Sequence, residues 1–141
     1  MWHFNEFADK LPGNVINCGI QEPTVVNIAA GLAYEHKHVF VYGVAGMIIH
    51  RAYEQLKLSG KGWGEYHGCV TLLNSGHNNC YEGTGRGHMI DDDLILMNAL
   101  GIPTYTPETK SELLKITSRV LRQEHGVNMI RFGWDDAPWF K

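Results

Sequence analysis

The sequence predicts a three-layer α/β fold, in which a mostly parallel sheet carries helices on both faces. Short runs of β-branched and aromatic residues alternate with longer stretches of helical apolar spacing, in the order β-α-β-α-β-α-β-α-β. The strand-like runs are almost continuously apolar, as expected for strands that are buried on both faces of a sheet. With 141 residues the chain is long enough for one domain, and we expect residues 1–141 to form a single one.

The first half of the chain is predicted to contain two strands and two helices. The first strand candidate is Val15–Cys18. Pro23 then stands in the first turn of a helix, where a backbone N–H is not needed, and the helix runs to about Glu35. Because this helix is apolar nearly all round, we expect burial on several of its sides. His38–Tyr42 predicts the second strand and Gly46–Leu58 the second helix.

The second half is predicted to contain three strands, two helices and a long loop. Cys69–Leu73 predicts the third strand, and the polar, glycine-studded segment Asn74–Gly87 predicts the loop. Three aspartates precede a helix at Leu94–Leu100, where the helix dipole favours them, and Gly101 is predicted to end this helix. The remaining elements are a strand at Pro103–Thr106, a helix from Pro107 to about Glu124 and a strand at Val127–Phe132.

Charge and composition exclude several classes of protein. Twelve basic and fifteen acidic residues give a net charge of −3, which argues against binding to nucleic acid or to an anionic membrane. The longest uncharged apolar run, Val39–Ile49, is too short to span a bilayer, and the first residues lack the apolar core of a signal peptide. Three irregularly spaced cysteines do not indicate a disulfide framework. We therefore expect a cytoplasmic protein that binds neither nucleic acid nor membrane.

Several polar residues fall at the carboxyl ends of the predicted strands, where parallel sheets bind their ligands. Glu22 lies between a strand end and a helix start, His88 ends the glycine-rich loop, and Arg131 lies in the last strand. The residues alone leave a simpler alternative open for each of them. Glu22 could be an ordinary acidic residue at a helix N-terminus, His88 a solvated loop histidine, and Arg131 one half of an ion pair.

Three segments carry more extended motifs. The first contains GIQE from Gly19, AAGLA from Ala29 and RAYEQ from Arg51. The second is GRGHMIDDDLILMNALGIPTYTPET, which includes His88, and the third is the closing strand VNMIRFG. Spread over roughly residues 11–133, these segments resemble the pyrimidine-binding domain of the transketolase family, which includes the deoxyxylulose-phosphate synthases.

The resemblance implies an enzyme that uses thiamine diphosphate. In this family a glutamate binds the far ring nitrogen of the cofactor's aminopyrimidine and thereby promotes formation of the reactive ylid, and Glu22 is the matching residue. His88 matches the family's histidine at the reacting centre, where it binds the substrate oxygen or moves protons. Arg131 is a candidate to bind a substrate phosphate or carboxylate.

One part of the implied cofactor site differs from the family. Where the family places aromatic residues that stack on the aminopyrimidine, this chain has an aromatic-free stretch with Val44, Met47 and Ile48. We expect these three side chains to form an apolar slot for the ring, since a thioether packs acceptably on an aromatic face.

A partner subunit is also implied. The chain lacks the Gly-Asp-Gly…Asn segment that binds the diphosphate and Mg²⁺ in this family, and its N-terminal unit is shorter than the family's. We therefore expect a heteromer, most simply α₂β₂, in which a diphosphate-binding subunit holds Mg²⁺. Its reaction would transfer a ketol or acyl unit between small molecules. Two alternatives stay open, namely decarboxylation of a 2-oxo acid with the same cofactor and a non-catalytic assembly or regulatory subunit.

A metal site is a further alternative in the loop-rich middle of the chain. His77 and Cys80 have the spacing of zinc ligands, and His67, Cys69 and His88 lie nearby. The pair His67-x-Cys69 is too tight for a usual zinc knuckle, and Cys69 begins a predicted buried strand. The sequence therefore favours a site without a metal ligated by this chain.

Overall fold

A four-stranded parallel sheet organises the part of the chain that the computed structural model describes, which is residues 4–35, 37–61, 68–77, 80–123 and 126–133. The strand order is β1-β2-β4-β3, and every neighbouring pair is parallel. The strands are β1 His38–Val44, β2 Cys69–Ser75, β3 Thr104–Tyr105 and β4 Gly126–Phe132.

Helices cover both faces of this sheet, which confirms the predicted three-layer α/β fold. They are α1 Phe4–Lys10, α2 Glu22–Tyr34, α3 Ala45–Arg51, α4 Tyr53–Lys61, α5 Asp93–Leu100 and α6 Lys110–Leu121. The chain moves across the sheet in one direction through α3, α4 and α5, and it returns through α6 from β3 to β4. Because parallel crossovers are right-handed, this reversal puts α6 on the face opposite α3–α5.

The main apolar core lies between the sheet and α2–α5. Its sheet side consists of alternate residues of three strands, and its helix side comes from all four helices; examples are Val41, Leu72 and Met129 from the sheet and Ala29, Ile49, Leu56 and Met97 from the helices. On the opposite face, Val120 of α6 is fully buried. The guanidinium of Arg119 lies 5.7 Å from the ring centre of Tyr105 and ties α6 to β3.

The predicted strand at Val15–Cys18 is wrong, because no strand forms there. The segment is irregular, and Ile16 is 59% exposed. Four residues of high β-propensity form a strand only where a neighbouring strand accepts their hydrogen bonds, and β1 pairs with β2 alone in the described sheet.

Other boundaries also differ from the predictions, and three of the differences have a local cause. The helix predicted over Gly46–Leu58 is divided at Ala52, whose φ and ψ of −110° and 21° leave the helical region. The third strand continues beyond Leu73 to Ser75, because its pairing with β4 continues there. The helix predicted from Pro107 begins at Lys110, where the Thr109 hydroxyl accepts a hydrogen bond from the backbone N–H of Glu112.

Helix α2 is buried on one side and not on several sides. Val26, Ala29 and Ala33 are buried against the core, whereas Ile28 and Tyr34 are exposed. An apolar surface all round this helix therefore does not predict burial on several sides, since the described neighbours β1, α3 and α4 cover only the side that carries Val26, Ala29 and Ala33. Among the described residues, no helix combines the length and the apolar character needed to cross a membrane.

Candidate functional site

A pocket of about 400 Å³ opens at the carboxyl end of β1. The N-terminal turn of α2 contributes Glu22, the end of β1 contributes Tyr42, α3 contributes Arg51, and the turn before α5 contributes His88. Apolar residues form the rest of the wall, and they include Val25, Val44, Met47 and Ile48. The pocket thus lies where parallel α/β sheets bind their ligands, beyond the carboxyl ends of the strands.

The carboxylate of Glu22 is held in this pocket by Arg51. Nη1 of Arg51 donates to both carboxylate oxygens, at 3.1 Å to Oε1 and 3.2 Å to Oε2. The Glu22 side chain is only 13% exposed, whereas that of Arg51 is 50% exposed. Since one nitrogen bridges both oxygens, each oxygen keeps a lone pair for a further hydrogen bond. Glu22 can therefore still bind a ligand donor while Arg51 holds it.

The apolar wall depends on the glycine at the end of β1. A Cβ atom at Gly43 would lie 2.5 Å from Cγ1 of Ile48, so no larger residue fits without moving this side chain. The absence of a side chain at Gly43 lets Ile48 pack directly on the strand end. Together with Val44 and Met47, Ile48 lines the pocket.

A close backbone contact brings His88 to the pocket. His88 ends the short 3₁₀ turn Arg86–His88. A Cβ atom at Gly46, near the start of α3, would lie 3.1 Å from the carbonyl oxygen of Met89 and 3.4 Å from that of His88. The glycine at position 46 therefore allows the backbone of this turn to lie directly against α3.

Three hydroxyl-bearing residues are in contact at the pocket, where Tyr42 is a lining residue and Ser75 and Tyr81 are not. The hydroxyls of Ser75 and Tyr81 are 3.0 Å apart. Burial raises the pKa of Tyr42 above its ordinary value, and the nearby phenol of Tyr81 adds to this shift, while a hydrogen bond with Ser75 opposes it. The phenol of Tyr42 thus stays protonated over the physiological pH range and presents a neutral aromatic wall to the pocket.

Arg131 does not line the pocket. It forms a buried ion pair with Asp93 of α5, in which Nε lies 2.6 Å from Oδ2 and Nη2 lies 3.1 Å from Oδ1. Nη1 makes a longer contact of 3.4 Å with the Thr106 hydroxyl. The geometry is that of the ion pair which the sequence leaves as the simpler alternative, and a role in substrate binding stays a prediction.

The structure therefore brings together most of the predicted site residues. Glu22, His88 and the three residues of the apolar slot all line one pocket. Two further lining residues are not predicted from the sequence. Tyr42 had a signal, which is the aromatic end of a predicted strand. Arg51 had none, because its contact with Glu22 spans 29 residues of sequence.

The described residues of the suggested metal site do not assemble. Within the described residues, no group of three or more histidines, cysteines and carboxylates could hold a metal ion. His77 and Cys69 are buried, and Cys80 is half-buried. His67 lies outside the described residues.

Comparison with curated proteins finds similarity to two transketolase subunits. A segment of 53 residues, 38% of this chain, is 45% identical to one of the subunits of the apulose-4-phosphate transketolase of Phocaeicola vulgatus and covers 17% of that protein. A segment of 123 residues, 86% of this chain, is 28% identical to the 6-deoxy-6-sulfo-D-fructose transketolase subunit SqwH of Clostridium sp. (strain MSTE9) and covers 37% of it. The chain thus spans well under half the length of the curated relatives it matches. No protein-family model matches the chain.

Proposed function

We propose that this chain is the pyrimidine-binding small subunit of a split, thiamine-diphosphate-dependent enzyme of transketolase type. The observation that carries the proposal is the carboxylate of Glu22, held at a largely apolar pocket beyond the end of β1. The similarity of the chain to proteins named as transketolase subunits supports the same assignment.

The pocket suits a flat, nitrogen-containing ring. Its volume of about 400 Å³ is within the usual range for small-molecule sites. Val44, Met47 and Ile48 offer apolar contact to the faces of such a ring, and Tyr42 adds an aromatic surface. The carboxylate of Glu22 offers a partner for one ring nitrogen. These residues would hold the aminopyrimidine of thiamine diphosphate.

In the proposed reaction the chain positions groups and moves protons. Thiamine diphosphate, when bound, supplies the electron sink that allows a carbon–carbon bond next to a carbonyl to break. Glu22 holds the ring nitrogen in one orientation and shares a proton with it. The apolar slot excludes water from this contact. His88, on the wall of the same pocket, gives or takes the proton of a substrate oxygen.

The diphosphate and Mg²⁺ are proposed to be held by a partner subunit that carries a diphosphate-binding domain. Both named relatives are themselves called subunits, which supports a heteromer, and α₂β₂ is the simplest stoichiometry with shared sites. Their names denote sugar transketolases, which favours transfer of a ketol unit from a small-molecule sugar over decarboxylation of a 2-oxo acid. We propose a cytoplasmic location for this chemistry.

The test is a titration of thiamine diphosphate with Mg²⁺ into the chain alone and into its mixture with the diphosphate-binding partner. We expect binding only in the mixture. Glu22→Gln should lower turnover by a factor of about 10²–10⁴, which is the usual contribution of a general acid–base group. Glu54→Gln, at an exposed glutamate in the first turn of α4, is the matched control and should leave turnover unchanged.

Absence of binding in the mixture would overturn the proposal and would leave the assembly or regulatory subunit as the better assignment. Binding with full activity of the Glu22→Gln variant would contradict the role of this carboxylate specifically.

A further inference from the structure

The proposed function uses His88 but does not explain what orients its imidazole. The turn Arg86–His88 is only three residues long and cannot fix a side chain by itself. The ring of Tyr81 lies beside that of His88, with the ring centres 6.3 Å apart and the planes tilted by 51°. This distance and tilt are within the range of attractive aromatic pairs.

Tyr81 is itself fixed to the end of the sheet. Its hydroxyl lies 3.0 Å from the hydroxyl of Ser75, which is a buried residue at the end of β2. A Cβ atom at Gly76 would lie 2.0 Å from the Tyr81 ring, and Gly76 also has a φ of +77°, which residues with side chains rarely adopt. Glycine at position 76 therefore allows the Tyr81 ring to lie directly on the strand end.

Tyr81 and its contacts connect the end of the sheet with the residues that line the pocket. Ser75 also hydrogen-bonds Tyr42, which lines the pocket, whereas Tyr81 and Ser75 are not lining residues. The backbone of His88 is held separately, by the contact that Gly46 allows with α3. The imidazole is thus held from two sides, through its backbone by α3 and through its ring by Tyr81.

We propose that Tyr81 is a positioning residue that holds the His88 imidazole at the pocket, with Ser75 and the glycine at position 76 as its anchor. This inference rests on the proposed function, because it assigns Tyr81 an effect on turnover through His88. Tyr81 does not line the pocket, so its proposed role is to position His88. Displacement of a catalytic side chain by 1 Å can lower the catalytic rate by a factor of about 10², so loss of the Tyr81 contact should be measurable in turnover.

The first test measures the position of His88 without any cofactor. The full chain is labelled in its histidine and tyrosine rings, and the His88 signal among the eight histidines is assigned with His88→Gln. We expect a nuclear Overhauser effect between the Tyr81 ring protons and the His88 ring. Ser75→Ala should weaken it, since the anchoring hydroxyl is lost but the ring stays. Absence of this nuclear Overhauser effect in the folded wild-type chain would overturn the inference.

The second test is a double-mutant cycle on turnover in the mixture with the partner subunit. Tyr81→Leu should lower kcat by about tenfold to a hundredfold. In a His88→Gln background the same change should lower kcat by less than about twofold, because its effect passes through His88. Equal effects in both backgrounds would contradict the inference and indicate a structural role only.

Two further variants complete the design. Tyr81→Phe keeps the ring but removes the hydroxyl that Ser75 anchors, so it should also weaken the nuclear Overhauser effect, and it replaces Tyr81→Leu if that variant does not fold. Tyr34→Leu makes the same change at an exposed tyrosine of α2 and should alter neither readout. If the mixture binds no cofactor, the proposed function fails while the nuclear Overhauser effect still decides the placement of His88. If cofactor binds and the effect is absent, only the inference about Tyr81 fails.

Discussion

At the scale of single residues, the contact between Glu22 and Arg51 is the feature with the clearest chemical consequence. The Glu22 side chain is 13% exposed, whereas that of Arg51 is 50% exposed, so the glutamate is largely enclosed at the pocket while the arginine is open to solvent. An ion pair with one exposed partner contributes little to stability, about 0–1 kcal/mol. Its value here is the orientation that it imposes on the carboxylate.

Replacement of Arg51 by glutamine is therefore expected to affect function more than folding. We expect turnover of the mixed complex to fall by about tenfold, since Glu22 loses the group that orients it. The free energy of urea-induced unfolding should change by less than about 1 kcal/mol. Lys57→Gln, which removes an exposed cation of α4, is the control. A variant that loses stability but keeps its turnover would show that Arg51 is structural.

At the scale of secondary structure elements, two glycines in helices have opposite roles. Gly101 ends α5 in the left-handed conformation, with φ of 68°, and its N–H bonds to the carbonyl of Asn98. Gly31 lies in the interior of α2 in ordinary helical conformation, and no atom lies within 4 Å of the position of its missing Cβ. One glycine is required by the backbone, and the other is not.

The two alanine variants should consequently shift stability in opposite directions. Gly101→Ala should lower the free energy of unfolding by about 1 kcal/mol, because a residue with a Cβ is strained in the left-handed region. Gly31→Ala should raise it by about 1 kcal/mol through helix propensity. Urea unfolding monitored by circular dichroism measures both. Two shifts of the same sign would contradict this account of the α5 terminus.

The strands also show how much of the secondary structure is determined by local sequence. The strands His38–Val44 and Gly126–Phe132 match their predicted ranges to within two residues, since both are β-branched or aromatic runs that a parallel sheet buries. The strand at Val15–Cys18 is predicted by the same signal and does not form. Propensity indicates which segments can be strands, but pairing with a neighbour decides which of them are.

At the scale of the entire fold, the ion pair between Asp93 and Arg131 joins distant parts of the chain. It connects α5 to β4 across 38 residues of sequence, and the two side chains are only 1% and 7% exposed. Two charges so deeply buried are each costly alone, because the protein interior does not replace the water that solvated them. Each charge therefore depends on the other.

Removing one partner of this pair should destabilise the whole fold. We expect Arg131→Met to lower the free energy of unfolding by about 3–5 kcal/mol, because it leaves the Asp93 carboxylate buried without a counter-charge. Asp92→Asn is a matched control at the adjacent carboxylate, whose hydrogen bond with His50 is half-exposed, and should cost less than about 1 kcal/mol. Thermal or urea unfolding compares the two. Similar losses of stability in the two variants would mean that burial does not determine how much this ion pair contributes to stability.

The class of fold, most of the strands and helices, and five of the eleven residues that line the pocket can be predicted from the amino-acid sequence. They follow from local apolar patterns, from glycine and proline positions, and from motifs such as GIQE and RAYEQ. Which groups act together emerges only from the folded chain, which pairs Glu22 with Arg51, Arg131 with Asp93, and Tyr81 with His88. The first two contacts join residues 29 and 38 positions apart, and the third depends on where the end of β2 lies. Local patterns carry no information on such pairs, since they exist only once the layers have packed.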